Sequence, residues 1–143
     1  MVAGAKVISK TIQVETKGHS DVIDVTSDVE KVLERAGLVD GIVSLFVVGS
    51  TAGITTIEYE PGLVHDIKVA LDKVAPENGH YEHHERWGDD NGHSHIRASL
   101  MGPSLTIPFS NKKLLVGTWQ QIVLIDFDTR PRTREVIAQI IGS

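Results

Sequence analysis

The chain has 143 residues, no cysteine and a formal net charge of −5 at pH 7. At that length one domain, residues 1–143, is the simplest organisation. The negative balance argues against a general nucleic-acid binder, and the missing thiols exclude disulfides and a thiolate zinc site, leaving imidazole and carboxylate as the only metal ligands.

Residues 6–16 (KVISKTIQVET) alternate apolar and polar side chains, the period of a half-buried strand. Lys17-Gly18-His19 is a turn, with His19 solvated, and residues 21–25 pair back as a shorter strand. A helix opens at Thr26-Ser27-Asp28. Ser27 and Glu30 have capping-box spacing, Val29, Val32, Leu33 and Ala36 form its buried stripe, and Gly37 suits the left-handed position at its end.

Residues 42–48 (IVSLFVV) form an apolar, β-branched run between glycines, read as a central strand. Gly49-Ser50-Thr51-Ala52-Gly53 connects it to a strand over residues 54–60, either as a tight connection or as a place where backbone N–H groups meet an anion. Pro61 starts a second helix with Leu63, Val64, Ile67, Ala70, Leu71 and Val74 inward; His65 falls nearly opposite that stripe, on an exposed face.

Residues 78–97 (NGHYEHHERWGDDNGHSHIR) hold five of the seven histidines, interleaved with Glu82, Glu85, Asp89 and Asp90. They read as a long ordered loop, followed by a strand that sets His95, Arg97 and Ser99 on one face and Ile96, Ala98 and Leu100 on the other. His93-x-His95 on a strand suits a metal, and His80, His83 and His84 offer further ligands; an acid–base cluster without metal and plainly solvated histidines are the other readings. Arg97 and Ser99 nearby would favour an anionic ligand.

Residues 104–109, 114–116 and 121–127 are strand-like, and residues 133–141 satisfy both a strand and a helix period. The expected fold is a β-rich α+β domain of two packed, mostly antiparallel sheets with two inserted helices. No apolar run is long enough to span a membrane and residues 1–10 lack a signal-peptide core, so the expected location is the cytoplasm, with no membrane partner.

Gly117-Thr118-Trp119-Gln120 before an apolar strand, together with His65-Asp66, Pro76-Glu77-Asn78-Gly79, Tyr81-Glu82-His83, Asp89-Asp90, Ser94-His95-Ile96 and residues 102–108, resembles the YjbQ-like proteins, known as the secondary thiamine-phosphate synthase family. The resemblance implies a homotrimer and a metal-dependent transferase joining a pyrimidine pyrophosphate to a thiazole phosphate. Metal-assisted phosphoester hydrolysis and a non-catalytic metal-binding trimeric module are the alternatives. It implies a divalent metal, zinc or, with a pyrophosphate substrate, magnesium, on His65, His83 and His95. Arg97, Gln120 and Asp90 would be catalytic, Ser50, Thr51, Ser99 and Trp119 would contact a phosphorylated small molecule. Many members of that family carry a histidine where this chain has Gly49, and Arg130, Arg132 and Arg134 near the end read as surface charge.

Overall fold

The computed structural model describes residues 4–143. Its elements run β1 (Lys6–Thr16), β2 (Asp21–Asp24), α1 (Thr26–Ala36), β3 (Gly41–Val48), β4 (Ala52–Ile57), α2 (Pro61–Val74), α3 (Glu82–Trp87), α4 (Gly92–Met101), β5 (Ser104–Ser110), β6 (Lys113–Leu114), β7 (Gln121–Asp126) and β8 (Arg132–Gly142). A five-stranded sheet has the order β1-β8-β3-β5-β6 and a three-stranded sheet the order β2-β7-β4. Every pairing is antiparallel. This is the α+β arrangement of two packed sheets that the pattern predicts.

The main core lies between the sheets. Val43, Leu45, Val47, Val136, Ala138 and Ile140 from the larger sheet meet Ile54, Ile122 and Leu124 from the smaller one, and α1 adds Val29 and Leu33. Because strand side chains alternate faces, β7 serves two cores. Ile122 and Leu124 face the larger sheet, whereas Val123 and Ile125 face outward under α2 and α4, where Val64, Ile67, Leu71, Ala98 and Met101 cover them. A strand buried on both sides explains the unbroken apolar residues 122–125 within the strand-like segment 121–127.

Four helices form, two more than expected, and both extra ones lie in the histidine-rich region. α3 occupies part of the expected loop. The strand expected from His95 onward is instead α4. His93, Ser94, Arg97 and Ala98 are buried while Ile96, Ser99 and Leu100 are exposed, a spacing of three and four that fits a helix. The period-two reading failed because polar side chains face inward here and two apolar ones face solvent. His95, Arg97 and Ser99 therefore do not share a face.

The ambiguous C-terminal segment is β8, in register with β1 on one side and β3 on the other. Two full ladders outweigh its residual helical period. The capping box also gives way: α1 begins at Thr26, the Asp24 carboxylate accepts from Thr26 N at 2.9 Å, and Ser27 lies inside the first turn. Gly37 does take the left-handed conformation, at φ 71°. Among the described residues no helix is long and apolar enough to cross a membrane.

Candidate functional site

The smaller sheet and β8 together present an acid–base ladder at one end of β7. Asp126 ends β7, Asp128 follows it, and Arg132 and Arg134 begin β8. Period-two spacing on adjacent segments sets two carboxylates against two guanidinium groups. Asp126 accepts hydrogen bonds from Thr16 Oγ1 (2.6 Å), Arg134 Nε (2.7 Å), Arg134 Nη2 (2.9 Å) and Asp128 N (3.0 Å). Asp128 accepts from Thr51 Oγ1 (3.0 Å), from Arg132 Nε and Nη2 (3.0 and 2.6 Å) and from Thr129 N (2.8 Å). Burial pushes the Asp128 carboxyl up, but these donors outweigh it and hold the group at about 2. Both aspartates are therefore anions near neutral pH.

Asn91, just before α4, joins this ladder to the histidines. Its side-chain amide lies 3.1 Å from His83 Nε2 and 3.4 Å from Asp128 Oδ1. With the amide turned over, its nitrogen donates to His83 Nε2 and, at 3.0 and 3.2 Å, to the Asp89 carboxylate. That orientation gives up the donation to Asp128 Oδ1, so the amide nitrogen serves either the aspartate ladder or the His83–Asp89 pair. The His83 and His95 rings lie 4.4 Å apart, tilted by 57°. Burial, and then the positive charge available to His83, pull the pKa of His95 below the ordinary imidazole range. Beside them Asp89, Asn91, Asp128, Thr129, Arg130 and Arg132 line a cleft of about 290 Å³. A larger cavity of about 400 Å³, between α1 and the β5–β6 turn, is lined by Glu30, Leu33, Glu34, Lys112, Lys113 and Leu114. It holds no imidazole and no buried charge, so the smaller cleft is the better candidate.

The other expected site residues distribute as follows. His65 is exposed on α2, and among the described residues no three His, Asp or Glu side chains stand together as a metal-holding group. Arg97 is buried and clamps three segments: Nε donates to Ala75 O (2.9 Å), Nη1 to Ser20 Oγ (2.8 Å), and Nη2 lies 3.5 Å from Asp72. Ser99 Oγ donates to His95 O within α4. Asp90 is exposed, with φ 55°, and its N–H donates to His84 Nδ1.

Trp119 is 73% exposed, and Gln120 accepts from Gly117 N and donates to Thr56 Oγ1, closing the turn before β7. At about 3.3 Å per residue, the six residues of β7 set that turn roughly 20 Å from Asp126. Thr51 is buried in the ladder, and exposed Ser50 lies beside it in the β3–β4 connection. The structure thus brings together His83, His95 and Thr51, and sets Trp119 and Gln120 at the opposite end of the strand.

Asn91, Asp126, Asp128 and Arg132 were not singled out by sequence reasoning as site residues, and Arg132 and Arg134 were read as surface charge. The available signal was the pairing of Asp126-x-Asp128 with Arg132-x-Arg134 at strand period on either side of a turn. His93, one of the less favoured histidines, is 1% exposed, with Nδ1 lacking a hydrogen-bond partner and Nε2 3.8 Å from Glu77. His19 is not merely solvated: it pairs with the same Glu77 carboxylate.

The family model described as "UPF0047 protein YjbQ-like" matches residues 10–143. A UPF0047 protein of Methanocaldococcus jannaschii is 37% identical over 131 residues, covering 91% of both chains. The UPF0047 protein YugU of Bacillus subtilis is 33% identical over 135 residues, 93% of this chain and 98% of that one. Among solved structures, a YbjQ-like protein of unknown function from Sulfolobus solfataricus superposes with a TM-score of 0.91 at 33% identity, covering 97% of this chain and 99% of the other. A Clostridium acetobutylicum protein of the yjbq/upf0047 family does so with 0.83 at 41% identity, covering 92% and 98%.

These findings correct the functional expectation. The matches support a family of unknown function and bring no support for thiamine-phosphate synthesis. The synthase activity read from the resemblance, with the hydrolase and metal-module alternatives beside it, gives way to that coarser statement.

Proposed function

Because the chain belongs to the UPF0047 family of YjbQ-like proteins, we propose that it acts on a small phosphorylated molecule in the cleft beside His83 and His95, with His95 as the proton acceptor. The carrying observation is the contact of two imidazoles, 4.4 Å apart, against a cleft edged by Arg130 and Arg132. A partly buried imidazole held towards neutrality is a base at physiological pH. Arg132 is fixed by Asp128, whereas the Arg130 guanidinium makes no hydrogen bond or ion pair among the described residues. Arg130 therefore supplies the free fork for a phosphate.

A resident divalent metal does not fit the donor set of one chain. His83 and His95 supply two imidazoles, fewer than the three protein ligands of a catalytic zinc site. The mechanism accordingly runs through side chains alone: Arg130 binds, Asn91 orients His83, and His95 takes a proton from the ligand.

The test is a panel of small phosphorylated compounds screened by thermal shift, with hits followed for turnover. A hit raises Tm in the wild type, loses affinity in Arg130→Ala, and loses turnover while keeping affinity in His95→Ala. If no phosphorylated compound binds, or if hits ignore Arg130→Ala, the reading fails.

The homotrimer belongs to the same proposal. The outer face of the five-stranded sheet exposes Val7 on β1 and Ile42, Phe46 and Val48 on β3, with β8 between the two strands. Exposed apolar side chains on one sheet face, here interleaved with Ser9, Gln139 and Ser44, are the kind of surface a subunit contact covers.

A further inference from the structure

The cleft beside His83 and His95 is lined by two arginines and two aspartates, and they are unequally matched. Arg132 and Asp128 satisfy each other, with Nη2 and Nε donating to Oδ2 at 2.6 and 3.0 Å. That leaves Arg130, which has no ion pair among the described residues, and Asp89. The Asp89 side chain is 45% exposed, and its one ionic neighbour among the described residues is His83 Nε2, 3.4 Å away. An imidazole is a counter-charge only when protonated.

Hydrogen bonding leaves Asp89 short as well. While the Asn91 amide nitrogen serves Asp128, no group among the described residues donates to Asp89. Turned over, that one nitrogen is shared between His83 and both Asp89 oxygens. A carboxylate offers about four acceptor positions, so in either orientation Asp89 presents open ones to the cleft. A volume of about 290 Å³ lies at the lower end of ligand pockets, so one small molecule reaches both Arg130 and Asp89. A phosphate monoester brings a charge of about −1.5 to −2 to Arg130 and is repelled by the carboxylate that shares its cleft.

We propose that the ligand of this cleft is a phosphorylated amine, with its phosphate on Arg130 and its ammonium on the Asp89 carboxylate. This rests on the cleft reading and adds to it the second charge that the ligand carries. The ammonium donates to the open Asp89 oxygens and offsets the repulsion that a bare phosphate meets. Asp89 thereby sets specificity and takes no part in proton transfer at His95.

The experiment titrates the full chain with O-phosphoethanolamine, its one-carbon-longer homologue, and ethyl and propyl phosphate, which lack only the amine. Calorimetry at low salt gives each Kd. At least one amine should bind about fivefold more tightly than its amine-free match. Asp89→Asn should abolish that preference without weakening the amine-free esters, and Arg130→Ala should weaken all four. The preference should also shrink as salt is raised, a readout that needs no variant. Matched pairs of equal affinity, or a preference indifferent to salt or to Asp89→Asn, overturn the proposal; the cleft reading then still stands if Arg130→Ala weakens binding. If none of the four binds, or all ignore Arg130→Ala, the cleft reading falls and this inference with it.

Discussion

Arg134 holds Asp126 through two hydrogen bonds, Nε to Oδ2 at 2.7 Å and Nη2 to Oδ1 at 2.9 Å, with side chains 7% and 0% exposed. Removing one partner of such a pair strands a charge in the interior, at about 3–5 kcal/mol. Asp126→Leu and Arg134→Met should each lower unfolding free energy by that order in urea titrations. The double variant should be less destabilised than either, because it strands nothing. Equal or additive losses would show that the two side chains do not depend on one another.

Asp128 makes stability fall in acid. Its carboxyl sits at about 2 in the folded chain against an ordinary 3.8. The unfolded chain therefore binds the proton more readily. The stabilisation is complete above about pH 4 and is lost as pH falls through 2, amounting to about 2 kcal/mol. Denaturant titrations at pH 7, 4 and 2.5 measure it. In Asp128→Asn the slope between the last two should flatten; a slope as steep as in the wild type refutes the assignment to Asp128.

The sequence made the sheets legible and the site only partly so. Residues 121–127 were readable because burial on both faces enforces apolar side chains, and residues 42–48 because their buried face and their exposed Ile42, Phe46 and Val48 are alike apolar. α4 was misread because its inward face carries Ser94 and Arg97 while Ile96 and Leu100 face out, so hydrophobic periodicity points the wrong way. His83 and His95 were identified by resemblance. Their partners Asn91 and Asp128 were invisible because the link is tertiary, made by a side chain 37 positions away in sequence. Arg134 looked like surface charge because no local pattern records that its carboxylate partner is eight residues back, across a turn.

His83 should control the titration of His95. Burial is the first cause of the lowered His95 pKa and the charge of His83 the second. Imidazole NMR should give His95 a midpoint below 6.5. In His83→Gln that midpoint should rise. An unchanged midpoint would mean that the two rings are not in contact in solution.

Light scattering should give three times the 15.6 kDa chain mass. Phe46, 47% exposed on the outer face of β3, lies opposite Ile137 of β8 in the same sheet. Phe46→Glu places a charge on that face and should yield a folded monomer, with circular dichroism unchanged. A wild-type monomer, or a variant that stays trimeric, removes this sheet face as the subunit contact.

Gly18 ties the first turn to the site. It has φ +82°, and a Cβ there would fall 2.6 Å from Asp128 O and 2.9 Å from Arg130 O, both backbone atoms that cannot rotate away. The neighbouring His19 N–H donates to Asp128 O at 2.7 Å, so the turn packs directly on the segment that carries the cleft. Gly18→Ala combines positive-φ strain with a backbone clash, and should cost about 1–3 kcal/mol. The clash bears directly on residues 128–130. The amide signals of Asp128, Thr129 and Arg130 should therefore move, and any phosphorylated ligand of the cleft should bind less tightly. A variant with those three signals in place and wild-type stability would show that the turn does not position the cleft.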